Sequence, residues 1–292
     1  MRYDRMEGPF EVWKMPAGYE VFYRPDPDHT YWAEAEEVKT GWKGKGRVIG
    51  VSSAAKVASL SADGLMDWAS QQTLDGCAEL VWKSIEESDG PVGDSILWLS
   101  NGNDAWQTLR ANEMTWRHRR QARADQGSIA HNILERALTQ GIDTAKKAAR
   151  PLKGDAAGFA QAAIKFVDER KPETCQVEQV VYSKKHNLAG RFDARVRMGG
   201  AYWLLDAKTS KRSSVQRSEA FSYQLAAYEM CLAECAPDWE VTRTAILRLD
   251  KDGTYELHPG CATVEDFLAG LDHLKNVKAV ASKLRRVAKE AA

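Results

Sequence analysis

Two acidic residues in the second half of the chain, Asp193 and Asp206, are placed to face each other across a β-hairpin. Gly199-Gly200 lies between them, and two successive glycines are typical of a tight two-residue turn. With that turn, Met198 faces Ala201 and the two carboxylates lie directly opposite each other. Their Cβ atoms would be about 4.5–5.5 Å apart, a repulsive arrangement that favours a cation between them.

A third acid and a lysine extend this row. Residues 184–187 form a predicted four-residue turn that places Glu178 opposite Asp193, and Lys208 lies two residues after Asp206 on the same face. Carboxylate oxygens are the ligands that Mg²⁺ and Mn²⁺ prefer. A lysine beside such an ion helps to orient and deprotonate an attacking water and offsets charge on a phosphate. The row therefore indicates metal-assisted hydrolysis of a phosphodiester.

The same residues also fit an ordinary salt-bridged surface. Arg191, Arg195 and Lys208 are close enough in sequence to neutralise the acids without a metal. A hairpin register inferred from sequence can also be wrong by one residue. On these residues alone, a metal site and a salt-bridged face have equal support.

The row needs a β-sheet and helices to hold it, and the apolar periodicity of the second half predicts both. The elements follow the order helix, helix, three strands, helix, two strands, helix. The predicted helices are 127–138, 155–169, 215–235 and 263–290, and the predicted strands are 176–183, 188–198, 202–209, 240–249 and 254–258.

The first half of the chain divides into a β-rich start and a helical region. We interpret residues 1–47 as a β appendage, because so short a chain seldom buries enough surface to fold alone. Residues 48–292 then form the main domain, with a helical part at 48–125, a core at 126–260 and the final helix. Strand-like runs are predicted at 10–13, 19–23 and 30–32, a polar connector at 36–47, and helices at 53–60, 62–83 and 102–123.

Five short motifs occur in order along the second half of the chain. They are the segment 127–135 (GSIAHNILE), Glu178, the segment 190–193 (GRFD), the segment 205–209 (LDAKT) and the segment 224–228 (QLAAY). Each motif is weak alone, but the ordered set resembles the RecB-like branch of the PD-(D/E)XK nuclease superfamily. That branch includes CRISPR-associated and phage-encoded exonucleases, and the resemblance covers about residues 120–260.

The resemblance implies a mixed α/β (α+β) fold. Its core has the order αβββαβ, and its mixed central sheet is flanked by helices. The cofactor would be Mg²⁺ or Mn²⁺. The implied metal ligands are His131, Asp193, Asp206 and the main-chain carbonyl of Ala207.

The resemblance also implies roles for residues around the metal. Lys208 would be the catalytic lysine, and Glu178 either binds the metal through water or only pairs with Arg191. Gln224 and Tyr228 match a helix motif that lies beside the family's active site. Without the other motifs, this glutamine–tyrosine pair could simply be neighbours on one helix face.

The histidine has a simple structural interpretation as well. His131 lies four residues before Glu135, so both could sit on the edge of a helix without any metal. Together with the other motifs, we interpret His131 as a metal ligand and Glu135 as a residue that orients it.

These motifs predict a Mg²⁺- or Mn²⁺-dependent DNA exonuclease in replication, recombination or DNA-end processing, of the phage-encoded type. Its partner would be DNA, as a single strand or a duplex end; a homo-oligomer and contacts with replication or recombination proteins stay open. One alternative is a non-catalytic DNA-binding or assembly module, against which Asp206, Lys208 and His131 argue. Another is a sequence-specific endonuclease, which would need a base-reading element that the sequence does not reveal.

Net charge gives no support for nucleic-acid binding, because 41 basic residues balance 41 acidic ones. Three local clusters of basic residues do give such support. We expect the clusters that begin at Arg117 and at Lys208 to contact DNA phosphates, whereas the cluster that begins at Lys275 could be a solvated helix face. Trp106, Trp116 and Trp203 could stack on bases, although tryptophans are more often buried in cores. The clusters are Arg117, Arg119, Arg120 and Arg123; Lys208, Lys211, Arg212 and Arg217; and Lys275, Lys278, Lys283, Arg285, Arg286 and Lys289.

Composition and cysteine spacing set the remaining expectations. Hydrophobic residues at 43% and charged residues at 28% are typical of a globular protein. Since no apolar run approaches the roughly 18 residues of a membrane span, we expect a cytoplasmic protein (in the host cytoplasm if phage-encoded) with no membrane partner. Many members of this branch hold an iron–sulfur cluster on four cysteines. Here Cys231 and Cys235 are four residues apart and Cys261 is far downstream, which argues against a cluster.

Overall fold

The computed structural model of the protein describes residues 10–25, 30–37, 42–58, 63–86, 102–209 and 219–272. The chain divides into two compact units, Met1–Leu60 with Ala130–Ala292, and Ser61–Ile129. No helix in the described segments is both long and apolar enough to cross a bilayer.

Nine strands in the described segments form one mixed sheet. They are β1 (Glu11–Lys14), β2 (Glu20–Arg24), β3 (Thr30–Glu37), β4 (Trp42–Gly50), β5 (Glu173–Ser183), β6 (Leu188–Met198), β7 (Ala201–Lys208), β8 (Arg243–Leu249) and β9 (Tyr255–Pro259). Along the sheet the order is β1-β2-β3-β4-β6-β7-β8-β9, and β5 pairs with β6 off this path. The β4–β6 and β7–β8 pairs are parallel, and the other pairs are antiparallel.

The described helices are α1 (Val51–Ala58), α2 (Asp63–Glu86), α3 (Gly102–Ala111), α4 (Trp116–Thr139), α5 (Ile142–Ala149), α6 (Gly154–Arg170), α7 (Glu219–Cys235) and α8 (264–272). Two separate apolar cores join helices to the sheet. In one, Leu225 of α7 packs with Phe192 of β6, and in the other, Phe166 of α6 packs with Ala130 of α4 and Leu205 of β7. The predicted mixed α/β fold, a central sheet flanked by helices, is confirmed.

Both hairpins that organise the acidic row have the predicted register. Met198 pairs with Ala201, and Ser183 pairs with Leu188 across the turn at 184–187. The carboxylate of Glu234, on α7, fixes that turn: it accepts a hydrogen bond from Ser183 Oγ at 2.6 Å and from the Lys184 backbone N–H at 2.9 Å. A partly buried carboxylate therefore ties α7 to the turn that sets the strand register.

Two predicted segments differ from the structure, and one helix was not predicted. The helix predicted at 102–123 is broken, because Glu113 has a left-handed φ of 56° that cannot continue a helix. Helix α3 therefore ends at Ala111, and α4 begins at Trp116. Of the predicted connector at 36–47, residues 36 and 37 belong to β3 and residues 42–47 belong to β4, whose glycines pair with β3 through backbone groups alone. The short helix α5 has no counterpart in the prediction. The final helix is described only as α8, and its predicted continuation to residue 290 lies outside the described residues.

The predicted domain division at residue 47 stays a prediction. That position lies within β4, which continues to Gly50 and pairs in parallel with β6 through Ile49 and Leu188.

Gly190 of β6 lies where two helices approach the sheet closely. A Cβ atom at this position would be 2.6 Å from Cε1 of Tyr228 on α7 and 2.8 Å from Cβ of Val51 on α1. Real Cβ atoms do not approach other atoms so closely, so only glycine lets both helices pack here.

Replacing Gly190 by alanine should therefore lower the free energy of unfolding by about 1–3 kcal/mol, the usual cost of overpacking a core. Gly50→Ala is the matched control, because a Cβ there has its nearest neighbour at 3.9 Å. We expect the control to change stability by no more than about 0.5 kcal/mol. Urea unfolding measures both, and equal stability of the two variants would contradict the packing argument.

Candidate active site

The regular alternation of side chains between the two faces of the sheet is broken in strand β6 at Asp193. Phe192 belongs to the core with α7, whereas Ala194, two residues later, belongs to the core with α6. Residues two apart on a regular strand face the same side. In the described ladder the neighbours of Glu178 and Asp193 are paired across β5 and β6, but these two acids are not paired with each other. Glu178 also has a left-handed φ of 50°. This irregularity lets both carboxylates turn toward α4.

His131 of α4 meets these carboxylates. Its Nδ1 atom lies 3.3 Å from Oδ1 of Asp193 and 3.8 Å from Oε1 of Glu178. Its Nε2 atom lies 3.0 Å from the carbonyl oxygen of Ala207 on β7. One potential ligand atom from each of the three side chains lies within 4.8 Å of the others. The structure therefore brings together three of the residues singled out in the sequence.

Asp193 also fixes the end of β7. Its second carboxylate oxygen, Oδ2, accepts a hydrogen bond of 2.6 Å from the backbone N–H of Ala207. Ala207 is thus held on both sides, by Asp193 through its N–H and by His131 through its carbonyl. Because Asp193 is only 8% exposed, these contacts satisfy a carboxylate that water hardly reaches.

Asp206 and Lys208 form a second buried pair beside the first. Lys208 Nζ contacts Oδ2 of Asp206, and Gln224 donates a hydrogen bond of 3.1 Å to Oδ1. The Gln224 amide also donates to the Tyr228 hydroxyl at 2.8 Å, and that hydroxyl donates to the Arg191 carbonyl at 2.9 Å. The predicted helix motif of α7 therefore reaches Asp206 directly through its glutamine.

The charges of the two pairs depend on one another. Burial alone would lower the pKa of His131, but the Asp193 carboxylate, with help from Glu178, raises it to about 10. Burial would raise the pKa of Asp193, yet His131 holds it below its usual range. Burial raises the pKa of Asp206 to about 6, against the opposing effect of Lys208. Burial would lower the pKa of Lys208, but Asp206 raises it above its usual value. At neutral pH each acid therefore faces a cation.

Arg191 supports the site from the side of the N-terminal strands. Its Nε atom lies 3.0 Å from Oε2 of Glu178, so the contact between these two residues that the sequence left open is present. Its guanidinium carbon lies 5.3 Å from the ring centroid of Tyr23, and Tyr23 stacks on Tyr31 at 4.9 Å. The alternation along β6 pointed to Arg191, but nothing in the sequence indicated Tyr23, because β2 is distant along the chain.

The donor set fits a hard divalent cation. His131, Glu178 and Asp193 offer one imidazole nitrogen and carboxylate oxygens, and the ligand group contains no thiolate. Oδ2 of Asp206 is buried, and its partner among the described residues is the ammonium group of Lys208. Asp206 and the Ala207 carbonyl adjoin the group, and their predicted role as ligands stays a prediction.

Other predicted binding residues are scattered or lie outside the described residues. Trp203 is partly buried under Arg243, whose guanidinium carbon is 5.1 Å from its ring. Cys231 and Cys235 are buried on α7, whereas Cys261 is exposed, and the prediction of no iron–sulfur cluster stays untested. The structure does not describe Lys211, Arg212, Arg217, the six basic residues from Lys275 to Lys289, or the side chains of Trp116, Arg119 and Arg120.

Comparison with known proteins gives a family match and similarities among solved structures. The model of the PD-(D/E)XK nuclease superfamily matches residues 67–292 of the chain. Among solved structures, the chain is similar to an alkaline exonuclease (LHK-Exo) from Laribacter hongkongensis, with 12% sequence identity and a TM-score of 0.30. That similarity covers 45% of this chain and 70% of the exonuclease. No curated protein sequence matches.

Cation binding at this site should depend on pH through His131. A ligand imidazole must be neutral, and the pKa of His131 is about 10, so an incoming cation has to displace its proton. Between about pH 7 and about pH 9, where Asp206 is already ionised, the association constant for Mg²⁺ should rise about tenfold per pH unit. Calorimetric titration at several pH values measures this slope.

His131→Asn provides the control, because an amide carries no exchangeable charge in this range. Its Mg²⁺ affinity should be lower than that of the unmodified protein and nearly independent of pH. A flat pH dependence in the unmodified protein would contradict the ligand role of His131.

Proposed function

The chain belongs to the PD-(D/E)XK nuclease superfamily, as its motifs predicted, and we propose that it is a Mg²⁺- or Mn²⁺-dependent DNA exonuclease. Its reaction would be hydrolysis of phosphodiester bonds during replication, recombination or DNA-end processing, as in phage-encoded enzymes of this type. The observation that carries the proposal is the position of His131, between the Asp193 carboxylate and the Ala207 carbonyl. The resemblance to the RecB-like branch, which includes exonucleases, implies that this histidine is a metal ligand.

The cation would be held by His131, Asp193, Asp206 and the Ala207 carbonyl, with Glu178 close enough to bind through a water. When bound, it supplies a Lewis acid that polarises the phosphate and lowers the pKa of a bound water. Asp193 has a further task, because the same carboxylate that would bind the ion also orients the His131 ring and the Ala207 peptide. Misplacing Asp193 would therefore disturb three ligands at once.

Lys208 acts as a cation in this mechanism. Its pKa is raised by Asp206 despite burial, so the ammonium group keeps its proton at neutral pH. A protonated lysine orients an attacking water by hydrogen bonding and stabilises negative charge that develops on the phosphate. The sequence also predicted that Lys208 helps to deprotonate that water. Because the lysine is already protonated, another base must accept the proton.

Gln224 and Tyr228 position the acid rather than touch the substrate. The amide of Gln224 donates to Asp206 and is itself held against the Tyr228 hydroxyl. Tyr228 is anchored to the backbone of β6 at Arg191. This chain of hydrogen bonds fixes the Asp206 carboxylate in one orientation, which a metal ligand requires.

One assay tests the proposed activity and distinguishes an exonuclease from an endonuclease. End-labelled linear DNA and closed circular DNA of the same sequence are incubated with Mn²⁺, with Mg²⁺ and with chelator. An exonuclease shortens the linear DNA in the presence of the ion and leaves the circle intact. Cleavage of the circle would identify an endonuclease, and no cleavage of either would favour a non-catalytic DNA-binding module.

Two amide substitutions should separate catalysis from ion binding. Asp206 is buried and the side chain of its partner Lys208 is only 20% exposed. Truncating one partner of a buried pair costs about 3–5 kcal/mol, so amide replacements that keep a polar side chain are preferable. Lys208→Gln removes the ammonium charge and should lower kcat by about 10²–10³-fold with ion affinity nearly unchanged. Asp206→Asn removes a charged ligand and should lose both activity and ion affinity. Cleavage rates and calorimetric Mn²⁺ titration measure the two effects.

Lys165→Gln is the matched control for the charge change. Lys165 lies on the exposed face of α6, where it pairs with Glu169 at 3.9 Å, so its loss should leave kcat unchanged. If Lys208→Gln cleaved DNA as fast as Lys165→Gln, the assigned role of Lys208 would be wrong.

A further inference from the structure

The unit of residues 61–129 contains a cavity of about 420 Å³ between α3 and the first turn of α4. Its lining consists of Trp106, Arg110, Thr115, Arg117 and His118. Ligand sites in proteins have volumes of about 300–1,000 Å³, so this cavity is large enough for one nucleotide.

The walls of the cavity are fixed by buried contacts. Leu109 of α3 is 3% exposed and anchors that helix. Thr115 is 1% exposed, and its Oγ1 atom lies 2.9 Å from Nδ1 of His118, which sets the orientation of the imidazole. A Cβ on Gly76 of α2 would be 2.2 Å from the Met114 carbonyl oxygen, so the turn between α3 and α4 packs directly on α2. Packed and buried residues of this unit therefore hold the walls of the cavity in place.

Its chemistry fits a base joined to a phosphate. Trp106 and Arg110 are four residues apart on α3 and so lie on the same side of that helix. Trp106 is 38% exposed, which leaves part of the indole open for stacking. Two arginines line the cavity, and the five described lining residues include no carboxylate. Guanidinium groups bind phosphate oxygens through paired hydrogen bonds.

We propose that this cavity binds one unpaired nucleotide of a DNA strand, with the base stacked on Trp106 and the phosphate bound by Arg110 and Arg117. The base must be unpaired, because both faces of a base inside a duplex are already covered by its neighbours. The choice of DNA rests on the proposed function. The inference adds to it a substrate class: DNA with a single-stranded segment.

Binding of labelled oligonucleotides in chelator, measured by fluorescence anisotropy, tests this site without cleavage. The probes are a thymidine strand of about 20 nucleotides, an abasic strand of the same length, a blunt duplex and a uridine RNA strand. The variants are Trp106→Leu, Trp106→Phe and Arg110→Gln. Trp82→Leu and Lys83→Gln are matched controls, because both residues are exposed on α2 of the same unit and neither lines the cavity.

Trp106→Leu should weaken binding of the thymidine strand by about 5-fold to 150-fold, the loss of one stacked base, and should not affect the abasic strand. Trp106→Phe keeps an aromatic face and should retain most of the affinity. Arg110→Gln should weaken binding of both strands. It should also reduce the salt dependence of the binding constant by the contribution of about one phosphate contact. The two controls should bind like the unmodified protein.

Several outcomes would overturn the inference. These are unchanged thymidine-strand affinity in Trp106→Leu, an equal loss on the abasic strand, an equal loss in Trp82→Leu, or tighter binding of the duplex or of RNA than of the thymidine strand. Thermal unfolding of each variant identifies a folding defect. If Trp106→Leu does not fold, Arg110→Gln decides, because unchanged affinity and salt dependence in that variant would also overturn the inference.

The result is independent of the catalytic proposal. If the unmodified protein cleaves linear DNA but its binding does not depend on Trp106, only the cavity assignment fails. If binding depends on Trp106 but no DNA is cleaved with either ion, the cavity assignment stands and the exonuclease proposal fails.

Discussion

The carboxylate of Asp193 is the contact on which the rest of the site depends. One of its oxygens lies beside the His131 ring and the other accepts the Ala207 N–H, so a single buried side chain joins α4, β6 and the end of β7. A buried carboxylate is stable only when it is paired and hydrogen-bonded, and these two partners meet both conditions. The same contacts place three candidate ligands around one point.

The site combines this geometry with a balance of charge. His131 faces Asp193 and Lys208 faces Asp206, so four ionisable groups are packed together without a large net charge. Such pairing makes burial tolerable, although buried pairs seldom add stability relative to apolar packing. In the proposed mechanism, a divalent cation would replace the proton of His131, while Lys208 would remain charged and face the phosphate. Arg191, held between Glu178 and Tyr23, extends this pairing toward the N-terminal strands.

Local sequence rules predicted the scaffold well where they act over short distances. The turn at Gly199-Gly200 predicted the pairing of Met198 with Ala201, and the periodicity of α7 placed Gln224 and Tyr228 together. Strict alternation could not predict that Phe192 and Ala194 face different cores, since that switch arises from the irregularity at Glu178 and Asp193. It is this switch that directs Asp193 toward α4.

Features that depend on residues far apart in the sequence could not be predicted from local patterns. The tyrosine beneath Arg191 comes from β2, and no pattern in either segment indicates that they meet. The strand β4 was mistaken for a connector because its glycines suggest a loop, whereas its backbone pairs with β3. Only the family motifs predicted His131 as a ligand, because spacing alone could not distinguish it from a residue on a helix edge.

The central claim is that one cation site is organised around Asp193. Anomalous scattering from crystals grown with Mn²⁺ tests it most directly, because the signal locates the ion without reference to activity. The account predicts a peak bounded by His131, Asp193, Asp206 and the Ala207 carbonyl. A peak elsewhere in the molecule, or none here at saturating Mn²⁺, would contradict it.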